Sequence, residues 1–228
     1  MRMRYPDRNP GTRPGVPVVE HRGDATPFLP ERRSLKSLRE AAAGCRGCHL
    51  YGNATQTVFG EGRRDADMML VGEVPGDRED RAGHPFVGPA GRELDKALEA
   101  IGIARGDVYI TNVVKHFKFE ERGKRRIHQT PKKFEVDACF PWLRAELDLI
   151  SPDVLVLLGA TAGKALLGSK FRLGENRGRE IDSDLAPHVT ATIHPSAILR
   201  APDDDARQRE REAFTEDLRA ALVDLRSQ

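Results

Sequence analysis

Met68-Met69-Leu70-Val71-Gly72-Glu73-Val74-Pro75-Gly76 is the stretch that decides the fold. Four apolar residues in a row, with no polar alternation, read as a strand covered on both faces, and Gly72 ends the run where the chain must turn. Working outward, residues 108–114, 154–158 and 189–193 read as three more strands of the same buried type. Helical periodicity occupies residues 35–43, 91–101, 134–150 and 162–167, and a closing helix starts at Ala206. Strands and helices that alternate in this way predict an α/β fold, a single three-layer α/β/α domain around a mostly parallel four-stranded sheet. In such sheets ligands sit beyond the carboxyl ends of the strands. The residues at three of those ends are Gly72-Glu73-Val74-Pro75-Gly76, Lys115-His116 and His194-Pro195-Ser196. Polar chemistry therefore gathers at one edge.

With 228 residues the chain can build one sizeable core. Residues 1–30 hold six prolines and several arginines and are expected to be a flexible arm, leaving 31–228 as the folded domain. The 37 Lys and Arg nearly balance the 35 Asp and Glu, but the distribution is uneven. Arg2, Arg4, Arg8, Arg13 and Arg22 crowd one stretch. Lys115, Lys118, Arg122, Lys124, Arg125, Arg126, Lys132 and Lys133 crowd another. Such a stretch is either a solvated surface or a face turned to phosphate. No run of about 18 apolar residues and no signal peptide is present, so a soluble, cytoplasmic protein without a membrane partner is expected, and nothing points beyond a monomer. Cys45, Cys48 and Cys139 cannot pair off as disulfides. In a reducing compartment Cys45-x-x-Cys48 reads as metal or redox chemistry, and the odd count asks for a fourth ligand of another kind.

Gly159-Ala-Thr-Ala-Gly163-Lys164-Ala165 follows a strand and imitates a phosphate loop. It has three residues between the glycines instead of four, and Ala165 where a magnesium-holding Ser or Thr is needed, so nucleotide hydrolysis is set aside.

The segment from Gly72 to Asp80, with His84-Pro85-Phe86-Val87-Gly88-Pro89-Ala90-Gly91-Arg92 after it, resembles the first motif of the uracil-DNA glycosylase superfamily. His194-Pro195-Ser196-Ala197-Ile198-Leu199-Arg200 resembles the second, and Thr111-Asn112 falls between them where that family keeps a base-reading Asn. The resemblance spans roughly residues 40–200 and implies a protein that flips uracil out of DNA and acts on its glycosidic bond. It assigns Glu73 to the sugar carbon C1′, His194 to the uracil O2, Asn112 to the uracil edge and Phe86 to stacking on the flipped ring. Val74, Ser196 and Arg200 would line the same site. Read without the resemblance, Glu73 caps a helix, His194 is a core histidine and Phe86 is packing.

Cys45, Cys48, His116 and Cys139 resemble the ligand set of the iron–sulfur glycosylases, which implies a [4Fe–4S] cluster. This chain departs from the family-four pattern in placing His116 where those enzymes have a Cys. Histidine replaces cysteine on iron in other clusters, and zinc in a Cys₃His site stays open on ligand identity alone. Gly123-Lys124-Arg125-Arg126-Ile127-His128-Gln129-Thr130-Pro131 is similar to the loop of the UdgX-type glycosylases. That likeness implies attack of His128 on C1′ after uracil departs, a covalent adduct with DNA, and phosphate contacts from Lys124, Arg125 and Arg126. Val74 stands where that subgroup usually has Gln, which bears on how water is handled beside Glu73. Uracil-containing DNA, including single strands, is the implied partner. The alternatives are a multiple-turnover glycosylase using water oriented by Glu73, and a metal-stapled DNA-binding module without chemistry.

Overall fold

The computed structural model describes residues 23–226. A four-stranded parallel sheet runs in the order β2-β1-β5-β6, from β1 (Met68–Gly72), β2 (Tyr109–Asn112), β5 (Val154–Leu158) and β6 (His188–Thr192). In register, Gly72 stands beside Asn112 and Val71 beside Leu157, so the strand ends line up. The helices are α1 (Leu35–Ala42), α2 (Asp77–Ala82), α3 (Pro89–Ala100), α4 (Lys133–Ile150), α5 (Ala160–Leu167), α6 (Leu173–Asn176), α7 (Ser196–Leu199) and α8 (Asp204–Arg226).

Because successive side chains leave a strand on opposite faces, β1 feeds two cores. Met69 and Val71 join Tyr109, Leu155, Leu157, Trp142 and Leu143 on the face covered by α1 and α4. Met68 and Leu70 join Ile110, Val156, Leu94, Leu98, Phe214 and Leu218 on the face covered by α3 and α8. This is the three-layer arrangement expected from the buried runs.

Besides the short helices α6 and α7, three segments differ from the sequence expectation. The basic stretch between β2 and α4 is a hairpin, β3 (Phe119–Arg122) against β4 (Arg125–His128), with His128 opposite Phe119. Its two-residue turn places Gly123 at φ +61, a left-handed conformation glycine adopts at little cost. Asp77–Ala82 forms a short helix that the sequence does not announce, because it has no apolar stripe. Part of the expected flexible arm is packed: Ala25 is buried and its N–H donates to Ala138 O at 2.8 Å. Residues 1–22 of that arm lie outside the described residues. Among the described residues no helix is long and apolar enough to cross a membrane.

Candidate active site and cysteine cluster

The carboxyl ends of β1, β2 and β6 deliver Glu73, Asn112 and His194 to one edge of the sheet. Backbone bonds extend the β1–β2 ladder past the strands: Val113 N–H donates to Gly72 O (2.9 Å) and Val114 N–H to Glu73 O (3.0 Å). Glu73 and Asn112 thus leave neighbouring rails. Each carries an unmet acceptor. Glu73 Oε1 and Asn112 Oδ1 are buried without a hydrogen-bond partner among the described residues, a costly arrangement that marks a place for a ligand's donor or positive charge. The other carboxylate oxygen, Glu73 Oε2, accepts from Thr161 Oγ1 at 2.7 Å.

Phe86 closes the floor. It is buried and holds φ +53, an uncommon backbone for a bulky residue, and its ring lies 5.7 Å from that of His194. Gly91 makes this turn possible, since any Cβ there would collide with the Phe86 carbonyl. The loop is held from below by buried Glu79, which accepts from Gly88 N–H at 2.9 Å.

His194 is electrically neutral and its tautomer follows from geometry. Ser196 N–H donates to Nδ1 at 3.2 Å, so Nδ1 is an acceptor and the ring proton resides on Nε2. Ser196 Oγ lies 2.8 Å from Nδ1 and itself accepts from the Arg200 guanidinium at 2.8 Å. Burial pushes the His194 pKa down to about 4, with further lowering from His128 and Arg200 nearby. A neutral N–H donor is therefore available at neutral pH.

His128 ends β4 at the rim. It is exposed to solvent, yet desolvation by the protein around the ring lowers its pKa, Glu73 and Glu79 acting against that and Arg200 with it. Its ring lies 6.1 Å from Phe117, and among the described residues nothing hydrogen-bonds to it. It shares its electrostatic surroundings with Glu73, His194 and Arg200.

The three basic residues of the hairpin have different fates. Lys124 and Arg125 are exposed at the tip, with no ion pair among the described residues. Arg126 turns inward instead, bonding Asp77 Oδ1 at 2.5 Å and Asp80 Oδ2 at 2.6 Å and lying over the rings of Phe117 and Phe119. It pins the hairpin to α2 and is not presented to phosphate. Val74 is buried beside Glu73, and Leu199 is an exposed apolar side chain next to Arg200 that the sequence reading passed over. An apolar group of that kind suits the gap a flipped base leaves in a stack.

Cys45, Cys48 and Cys139 are buried free thiols that lie in one another's electrostatic field. Burial raises Cys48 to about 11 and Cys139 to about 12. Trp142 Nε1–H donates to Cys45 Sγ and Lys115 N–H to Cys139 Sγ, each at 3.2 Å. Buried thiols served by N–H donors fit a metal cluster, whose positive charge would offset the cost of ionisation. Among the described residues no three His, Cys, Asp or Glu side chains converge on a single ion. His116 is buried, with Nε2 3.0 Å from Thr57 Oγ1, and so is not directed wholly to the thiols. Behind Cys139 lies a polar network the sequence reading missed. Buried Lys115 Nζ donates to Glu146 Oε2 (2.5 Å), Thr111 Oγ1 (2.7 Å) and Asn112 O (2.6 Å).

A parallel sheet that presents at one edge a carboxylate and an amide, each with one unpartnered oxygen, and a neutral imidazole has a counterpart among known proteins. The sequence model of the uracil DNA glycosylase superfamily matches residues 59–219, and the chain belongs to that superfamily. A type-4 uracil-DNA glycosylase of Pyrobaculum aerophilum is 38% identical over 175 residues, 74% of this chain and 86% of the relative. Another, of Thermotoga maritima, is 40% identical over 175 residues, 76% of this chain and 88% of the relative. The similarity to a type-5 uracil-DNA glycosylase of Pyrobaculum aerophilum is lower, 31% over 158 residues, 60% of this chain and 64% of the relative.

Proposed function

We propose that this protein excises uracil from DNA and that His128 then captures the sugar. The observation that carries the excision is the set of open groups at the strand ends: Glu73 Oε1 and Asn112 Oδ1, buried acceptors without partners, beside the neutral Nε2–H of His194. Uracil meets that set. Its N3–H supplies a donor to Asn112 Oδ1, whereas cytosine has an acceptor there. Phe86 offers a ring to replace the stacking a flipped base loses. As the C1′–N1 bond breaks, its electron pair leaves with uracil, and His194 donates to the O2 where negative charge gathers. Positive charge on the sugar is balanced by Glu73. Stabilising both developing charges is what lowers the barrier.

His128 supports the second half of the reading, because an unbonded imidazole whose pKa is held down has a free lone pair at neutral pH. Its attack forms a C1′–N bond, and the proton on its other ring nitrogen is given up as the departing uracil anion takes one up. The step is redox-neutral. Lys124 and Arg125, free at the hairpin tip, would contact phosphates, and single-stranded uracil-DNA would spare the enzyme the cost of unpairing. Cys45, Cys48 and Cys139, with His116 as the fourth ligand, would hold a [4Fe–4S] cluster, a structural cross-link between the Cys45–Cys48 loop and α4.

The competing reading keeps excision and makes Glu73-oriented water the nucleophile, with turnover; the similarity to type-4 glycosylases favours it. A denaturing gel separates the two. Equimolar protein and labelled uracil-containing oligonucleotide should give a shifted band that is absent with His128→Ala. An alkali-labile abasic site accumulating without a shift would establish hydrolysis, and intact uracil-DNA after long incubation would overturn the excision itself.

A further inference from the structure

The phosphate-loop imitation at Gly159–Gly163 is left without a role by the reading above. Its place in the fold supplies one. β5 lies between β1 and β6, so the turn leading from it into α5 emerges between Glu73 and His194. Gly159 makes that turn at φ +95, and a Cβ on it would come within 3.1 Å of His194 Cβ. Thr161, in the first turn of α5, then donates its hydroxyl to Glu73 Oε2 at 2.7 Å.

We infer that Thr161 is a positioning residue that fixes the Glu73 carboxylate so that Oε1, and only Oε1, is presented to the substrate. The last torsion of a glutamate side chain is broad and nearly two-fold, so an untethered carboxylate would sample many orientations. One hydroxyl donor selects among them. The oxygen it leaves over is the buried, unpartnered Oε1. The residues that resemble a phosphate cradle thus hold the protein's own carboxylate. The inference rests on the assignment of Glu73 to the C1′ side of a uracil nucleotide.

The test uses the full chain and a uracil-containing oligonucleotide under single-turnover conditions. Thr161→Val keeps the shape and removes the donor, whereas Thr161→Ser keeps the donor. A hydrogen bond to a charged group predicts a fall of about 10-fold or more in excision rate for Thr161→Val. The DNA concentration at half-saturation should stay within about two-fold, because the bond acts on the chemical step and not on binding. Thr161→Ser should recover to within about three-fold of wild type by the same argument. In a Glu73→Gln background the valine substitution should cost under about two-fold, since a residue acting through Glu73 has nothing left to orient. An unchanged rate in Thr161→Val overturns the inference. So does an equal loss in both backgrounds, or a loss confined to half-saturation. An inert wild type would overturn the excision reading and this inference together, whereas an active wild type with an unaffected valine variant overturns this one alone.

Discussion

Gly72→Ala is the perturbation that tests the site most directly. Gly72 ends β1 beside Asn112, and a Cβ built on it would come within 2.5 Å of Phe86 Cζ and closer still to Asn112 Oδ1. Ordinary carbon contacts lie at about 3.5–4.0 Å, so both groups must retreat by roughly 1 Å. Neither has a cheap retreat. Phe86 is buried with its backbone already in the left-handed region and its carbonyl against Gly91, and Asn112 is anchored by the ladder and by Lys115. Overpacking of this kind costs about 1–3 kcal/mol, and alanine returns about 0.5–1 kcal/mol through the unfolded chain. The net loss, about 0–2.5 kcal/mol, should lower Tm by no more than about 10 °C for a domain of this size. Displacing by about 1 Å the two groups proposed to receive the base should cut the single-turnover excision rate by about 100-fold. Melting curves and rapid-quench uracil release on the same preparation measure both. Excision within about three-fold of wild type would refute the reasoning, because Asn112 and Phe86 could not then be what holds the base.

Three further outcomes are expected. Lys115→Met should strand Glu146 in the core and cost about 3–5 kcal/mol in urea unfolding, while adding Glu146→Gln should restore most of it; a single-variant loss under about 1 kcal/mol would contradict the buried pair. His194 titrates near 4 when folded but near 6.5 when unfolded, so the unfolded chain takes the proton first as pH falls. Its contribution, at most about 3 kcal/mol, should be complete above pH 6.5 and vanish toward pH 4, and His194→Gln should flatten the urea midpoint across that window. Purified protein should contain iron and absorb broadly in the visible, with both lost in Cys139→Ser; a colourless protein carrying one zinc ion would replace the cluster by a Cys₃His site.

The sheet was legible because runs such as Val154–Leu158 are apolar on both faces, and only a covered strand tolerates that. Glu73 and His194 were legible as residues of the sheet edge because they follow such runs, whereas Asn112, inside its run, stood out only through the family resemblance. The hairpin was not legible. Its residues alternate among charged types, and the partner that turns Arg126 inward, the Asp77–Asp80 helix, lies far away in sequence. Nothing in their residue type separates Arg126 from Arg125, although one is half-buried in ion pairs and the other is exposed. Thr161 was hidden differently: its segment imitates a phosphate loop, and the carboxylate it serves instead lies 88 positions away in sequence. A helix start at a strand's carboxyl end faces the ligand edge whatever its pattern. Lys115 and Glu146 were unreadable because a buried ion pair is a property of two distant positions.

The strand order carries one more consequence. Glu73 follows β1 and His194 follows β6, and β5 stands between them. Strands are spaced about 4.8 Å apart, so the backbones bearing the two residues start about 10 Å from each other. The sheet acts as a ruler. Its pitch, which no side chain at the site can alter, sets that separation, and under the proposed function the sugar would lie at the carboxylate end and the base at the imidazole end. Side-chain changes can retune what is done to a guest in that gap, whether water or His128 completes the reaction.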